Sequence, residues 1–244
     1  MKVPLGLDFP TDWGREEPAR TVRDLVLAGL VAPTIRHASS LTVTGLENVS
    51  NQQTKIFAAN HVSHLDTPLV LSALPSAVRR HTVVAAAMDT FFLSHRKAIT
   101  TVLTFNAIPI ERNKVNRRSA ELAQQLLEKS WNLLIYPEGG RTTTGDLMEF
   151  KPGAAFLAER TGASVIPVYI HGAGELAGPR YAKASLYTSA PFQWRHHVSV
   201  NFGPGLTQLE GENIRRFGAR IEQSVAELGR KVSGNPDYGR REPA

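Results

Sequence analysis

Residues 55–74 read KIFAANHVSHLDTPLVLSAL. Lys55–Ala59 is a short apolar run of strand length. The polar cluster Asn60–Asp66 follows, and a second apolar stretch predicts a helix around residues 64–74. A strand that ends in a polar loop and feeds a helix is the repeating unit of an α/β sheet. The same alternation recurs along the chain. Strands are expected at Leu41–Thr44, Thr82–Ala86, Ala107–Ile110, Asn132–Tyr136, Ser164–Ile170 and Val198–Phe202, with helices around 89–104, 115–130, 153–161 and 211–230. The pattern predicts an α/β fold in a single domain, with a mostly seven-stranded mixed sheet flanked by helices.

The helix opening near Val115 carries the strongest periodicity. Leu122/Leu126 and Ala123/Leu127 form apolar pairs at i,i+4, while Arg117, Arg118, Glu121, Gln124, Gln125 and Glu128 take the other face. No internal repeat interrupts the chain. Residues 231–244 read as a polar C-terminal tail, and 1–39 as a tail followed by an amphipathic helix. In that helix Val22, Leu25, Val26, Leu30 and Pro33 fall near one stripe flanked by Arg15, Arg20, Arg23 and Arg36. Such a helix either lies on anionic lipid or packs on the domain.

The bulk composition narrows the chemistry. The chain has 244 residues, 42% of them hydrophobic and 20% charged, which predicts a folded globular protein. It contains no cysteine, which excludes disulfides, thiolate nucleophiles and zinc–thiolate sites. Lys and Arg outnumber Asp and Glu by 28 to 22, favouring anionic partners such as phosphorylated substrates or an anionic membrane surface. Nucleic acid is not expected, since no recognition helix, finger or stacking motif is present. The N-terminus lacks the apolar region of a secretory signal. The longest apolar run, Leu25–Ala32, is far shorter than the ~20 residues a membrane-crossing helix needs. The expectation is a cytoplasmic protein peripherally associated with the cytoplasmic face of the membrane.

In open α/β sheets ligands collect beyond the carboxyl ends of strands. Four polar clusters fall there: NHVSHLD after Ala59, ERNK after Ile110, PEGGRTTTG after Tyr136, and FKPG before the helix at 153. His61 and Asp66 can pair so that the carboxylate fixes the imidazole tautomer and leaves the other ring nitrogen as a base. The bland alternative is a helix N-terminal Asp beside a satisfied histidine. A metal held by His61, His64 and Asp66 lacks the i,i+4 pair of a helical site, and Ser63 lacks the glycine-flanked elbow of a serine nucleophile. Gly139 and Gly140 would admit a phosphate close to the backbone, with Arg141 supplying a charge-assisted fork. Glu111, Arg112 and Lys114 gather charge at another strand end, where Arg112 is the best-placed cation for a phosphorylated headgroup.

Taken in order and at these separations, NHVSHLD, NAIPIER, YPEGGRTTTG and VIPVYI resemble the four motif blocks of the glycerolipid acyltransferase family. The resemblance spans roughly residues 40–205. It implies an acyltransferase domain over 40–230 that moves a fatty acyl group from acyl-CoA or acyl-carrier protein to a lysophospholipid hydroxyl, with neither metal nor cofactor. By the same resemblance His61 is the general base and Asp66 its orienting partner. Arg112 sits at the acceptor phosphate, Glu138, Gly139, Gly140 and Arg141 belong to the substrate pocket, and Pro167 marks the fourth block. The sequence departs from the family pattern where Asn106, Pro109 and Glu111 stand for glycine, an aromatic and aspartate. It departs again where Gly140 and Thr142 stand for threonine and serine.

Overall fold

The computed structural model describes residues 4–49, 53–112, 116–177 and 195–240. Lys114 and Val115 lie outside the described residues. Seven strands form one sheet: β1 Ser39–Thr44, β2 Lys55–Ala59, β3 Thr82–Ala87, β4 Ala107–Ile110, β5 Asn132–Ile135, β6 Ser164–His171 and β7 His196–Phe202, in the order β1-β7-β6-β2-β5-β3-β4. All neighbours run parallel except β6 and β7, so the sheet is mixed, as expected from the sequence. The helices are α1 Ala19–Val26, α2 Ala32–Ala38, α3 Asp66–Ala73, α4 Ser76–Arg80, α5 Met88–Phe91, α6 His95–Phe105, α7 Arg117–Glu128, α8 Gly153–Thr161, α9 Ala173–Ala177 and α10 Ile214–Ser233.

β2 is buried at every position because helices cover both faces of the sheet. Phe57 and Ala59 point into a core shared with α3, while Ile56 and Ala58 point into the core under α7, α8 and α10. Alternate residues of one strand thus stitch two cores together. α7 begins where the Asn116 side chain accepts hydrogen bonds from the Arg118 and Ser119 amides, and it buries Ala123, Leu126 and Leu127.

The single helix expected over 89–104 is instead α5 and α6. The fully buried Phe92 packs against Phe9 and pulls the chain out of helical geometry before Ser94 starts the second helix. α6 ends at Asn106, whose φ of 54° lies in the left-handed region. This is the position where the resemblance anticipates glycine, and asparagine is the side chain that best tolerates that conformation. Asn106 also donates to the Thr82 carbonyl at 3.0 Å. Pro109 lies in β4, an edge strand that among the described residues pairs with β3 alone, where its missing N–H costs no ladder bond.

The N-terminal segment turns its apolar stripe outward. Val22, Leu25 and Leu30 are exposed, Leu25 by 69%, while Leu27, Ala32 and Ile35 face the domain. Arg23 faces inward and donates to the Gly14 carbonyl, and its burial pushes its pKa down to about 10. An ion pair from Asp24 to Arg80 at 2.9 Å ties α1 to α4. Among the described residues, no helix is long and apolar enough to cross a membrane.

Candidate active site

β2 and β5 are neighbours at the centre of the sheet, so the loops leaving their carboxyl ends meet. The Thr142 amide donates to the His61 carbonyl at 2.9 Å, joining the two loops through their backbones. Around this junction opens a cavity of about 690 Å³ whose lining includes His61, His64, Arg112, Tyr136, Gly139 and Arg141. Its apolar walls come from the ends of β3 and β4, with Ala85, Ala86 and Ile110, and from Phe91 and Phe105.

His61 Nδ1 lies 2.7 Å from Asp66 Oδ2. That oxygen also accepts the Val62 and Ser63 amides at 2.8 and 2.9 Å, and the Asp66 side chain is fully buried. The chain achieves this by turning sharply after Asn60 and entering α3 at Asp66, which folds the carboxylate back over the preceding loop. Asn60 braces the turn from the other side, exchanging hydrogen bonds with the Ile170 backbone at 2.7 and 3.0 Å. Because Nδ1 is engaged by a carboxylate, it carries the proton, and Nε2 is the ring nitrogen left to accept one.

The Tyr136 ring stacks on the His61 imidazole, with centroids 4.1 Å apart and planes 21° from parallel. Its hydroxyl lies 2.9 Å from Thr67 Oγ1, and burial pushes its ionisation well above the ordinary phenol range. The stack and the Asp66 bond together hold the imidazole in one orientation. The sequence reading missed Tyr136, although it directly precedes the Pro-Glu-Gly of the third block.

Glu138 has a different place from the one expected. It is buried and does not line the cavity; Oε1 accepts the His61 amide at 2.6 Å and Oε2 the Met148 amide at 2.9 Å. It is a strut between the His61 loop and the 137–151 loop, and burial pushes its pKa up to about 8. Gly140 is likewise outside the lining, whereas Gly139 is part of it. Gly139 has a φ of 71°, and a Cβ there would meet the Lys151 side chain at 2.5 Å. Glycine therefore lets Lys151 pass beneath it and donate to the Arg112 carbonyl.

Arg112 and Arg141 line the same cavity as His61. Burial lowers the pKa of Arg141, Asp66 opposes that shift, and Arg112 adds to it. His64 also lines the cavity, edge-on to Phe91 with centroids 5.8 Å apart. Its burial, reinforced by Arg141 and His61, pushes its pKa down to about 4. His64 is thus a neutral wall at physiological pH. Among the described residues no group of three or more His, Asp or Glu is arranged to hold a metal ion. Ser63 is fully buried, with Oγ accepting the Leu65 amide at 2.9 Å.

An acyltransferase family model matches residues 40–171, more than half of the chain. The chain is 27% identical over 185 residues to a 1-acyl-sn-glycerol-3-phosphate acyltransferase of Borreliella burgdorferi, covering 71% of this chain and 66% of that one. It is 27% identical over 143 residues to a chloroplastic 1-acyl-sn-glycerol-3-phosphate acyltransferase of Arabidopsis thaliana, covering 56% of this chain and 37% of the relative. These matches span from about a third to about two thirds of the relatives' lengths. In fold the chain is similar to the crystal structure of the 1-acyl-sn-glycerophosphate acyltransferase PlsC from Thermotoga maritima. The TM-score is 0.64 at 19% identity, over 93% of this chain and 88% of that one.

Proposed function

This chain belongs to the acyltransferase family, and on that premise we propose that it transfers a fatty acyl group from an acyl thioester to the free hydroxyl of 1-acylglycerol-3-phosphate, giving phosphatidic acid. The observation that carries this reading is the His61–Asp66 pair at 2.7 Å on a cavity that also takes Arg112 and Arg141. It joins a general base, cations suited to a phosphate and apolar walls suited to an acyl chain. The acceptor named is the one that the relatives' names carry.

His61 Nε2 removes the hydroxyl proton as the alcohol oxygen attacks the thioester carbonyl carbon. Asp66 stabilises the imidazolium that forms, as the carboxylate of a Ser-His-Asp triad does. The C–O bond forms, the C–S bond breaks, and the imidazolium proton passes to the departing thiolate. The substrate hydroxyl occupies the role a serine would fill, so no covalent enzyme intermediate is needed. Arg112 and Arg141 hold the acceptor phosphate by charge-assisted hydrogen bonds beside Gly139, while Glu138 keeps the two loops together from behind. Coenzyme A or acyl-carrier protein serves as the donor, and no cofactor takes part.

The exposed Val22, Leu25 and Leu30 support peripheral attachment to an anionic membrane surface on its cytoplasmic face, where both the acceptor and the product reside. The test of function is an assay of purified protein with acyl-CoA and acyl-carrier protein against a panel of lysolipid acceptors. Acyl transfer to lysophosphatidic acid is expected, with turnover reduced on the order of a thousandfold in His61→Ala. Equal turnover in the variant and the parent protein would sink the mechanism, and transfer only to other acceptors would overturn the substrate.

A further inference from the structure

Arg112 does not stand in its cavity unaided. Its Nε and Nη2 both donate to Asp89 Oδ2, at 3.0 and 2.9 Å. Arg112 lines the cavity and Asp89 is not among its lining residues. Both side chains are about one third exposed. Lys151 holds the Arg112 backbone from a third direction through its carbonyl.

A guanidinium offers five N–H donors in a planar fork. Asp89 consumes the Nε and Nη2 donors of one edge, and Nη1 has no other partner among the described residues. The edge left over contains Nη1 and the second Nη2 hydrogen, which is the fork that grips two oxygens of a phosphate. An arginine swinging on a flexible stem would have to lose rotamer freedom each time a headgroup bound. An arginine already tied by its other edge has lost that freedom in advance.

We propose that Asp89 is a positioning residue that fixes Arg112 with its free fork toward the cavity, and so sets the affinity for the phosphate of the acceptor. This rests on the acceptor reading above. The local structure makes such a role possible because β3 ends at Ala87 and β4 at Ile110, adjacent strands whose carboxyl ends lie side by side. The second residues beyond them, Asp89 in α5 and Arg112 in the next loop, are therefore within reach of each other.

The experiment uses the full chain, with lysophosphatidic acid and acyl-CoA each varied at saturating concentrations of the other. Asp89→Ala is expected to raise the KM for the acceptor about tenfold, the worth of one charge-assisted contact, and to leave kcat within about threefold. The KM for the donor stays unchanged, and Asp89→Glu recovers part of the acceptor affinity. Adding Asp89→Ala to Arg112→Gln produces no further rise, because the residue it positions is gone. An acceptor KM unmoved or lowered in Asp89→Ala overturns the inference. So does a donor KM that rises in step, or an undiminished Asp89 effect in the Arg112→Gln background. A parent protein that acylates no phosphate-bearing acceptor overturns the acceptor reading and this inference together. Transfer to lysophosphatidic acid with an acceptor KM indifferent to Asp89 overturns this inference alone.

Discussion

Asp66→Asn separates charge from geometry at the site. All three short contacts of Asp66, from His61 Nδ1 and the Val62 and Ser63 amides, converge on the single oxygen Oδ2. An asparagine that presents its carbonyl oxygen at that point still accepts all three, and its amide nitrogen falls beside Ser63 Oγ, which lies 3.4 Å from Oδ1. The imidazole therefore keeps its orientation, and what disappears is the negative charge that, in the proposed mechanism, stabilises the imidazolium. For unit charges about 4 Å apart at an effective dielectric constant of about 20, that is worth about 4 kcal/mol. Turnover should fall on the order of a thousandfold. Asp66→Ala removes the oxygen as well and leaves two buried amides unpaired, at about 1–3 kcal/mol each. It should match Asp66→Asn in lost activity while melting roughly 5–20 °C lower. Activity is read from the coenzyme A thiol released, with a chromogenic disulfide, and the chain has no cysteine to contribute background. An Asp66→Asn enzyme that keeps more than about a third of the parental kcat refutes the reasoning, as does an equal loss of melting temperature in the two variants.

Two further predictions concern stability and attachment. Burial raises the Glu138 pKa from 4.5 to about 8, so its stabilising contribution is fully present below pH 4.5 and is lost as the pH rises through 8. The melting temperature of the parent protein should decline across that window more steeply than that of Glu138→Gln, and parallel curves would contradict the assignment. Leu25→Glu with Leu30→Glu places two charges on side chains exposed by 69% and 64%, so the fold should survive. Sedimentation with anionic vesicles should weaken in this variant and in raised salt. Binding indifferent to both would show that this face does not meet lipid.

The sheet was legible because strand runs such as residues 56–59 and 107–109 are buried and therefore apolar throughout. Each strand begins and ends within two residues of its expected position, and Gly153–Thr161 is a helix over the expected residues. The break between α5 and α6 was not legible. It depends on Phe92 finding Phe9, a contact between distant residues that periodicity does not encode. In the candidate site, His61, Arg112, Gly139 and Arg141 were singled out in the sequence beyond strand ends and Asp66 beside them, and the structure sets the first four on one cavity and Asp66 against His61. The second rank of contacts was not. Glu138 bonds to the His61 and Met148 amides outside the cavity lining, Tyr136 stacks on His61, and Asp89 pairs with Arg112, and each depends on which strands are neighbours.

Local sequence by itself determined the alternation of strand and helix, the absence of cysteine chemistry and the identity of the chemically competent side chains. These follow from residue type and spacing within a few positions. Only the tertiary structure decided the order of the strands. That order sets β5 beside β2 and β4 beside β3, and so brings Thr142 onto the His61 loop and Arg112 onto Asp89. It likewise decided that the apolar stripe of the N-terminal segment faces outward, because inward positions are allotted by total burial and Leu27 and Ile35 already fill them. The physical reason is common to all three: hydrogen bonding within a segment is local, whereas register, burial and side-chain partnership are settled between segments far apart in the chain.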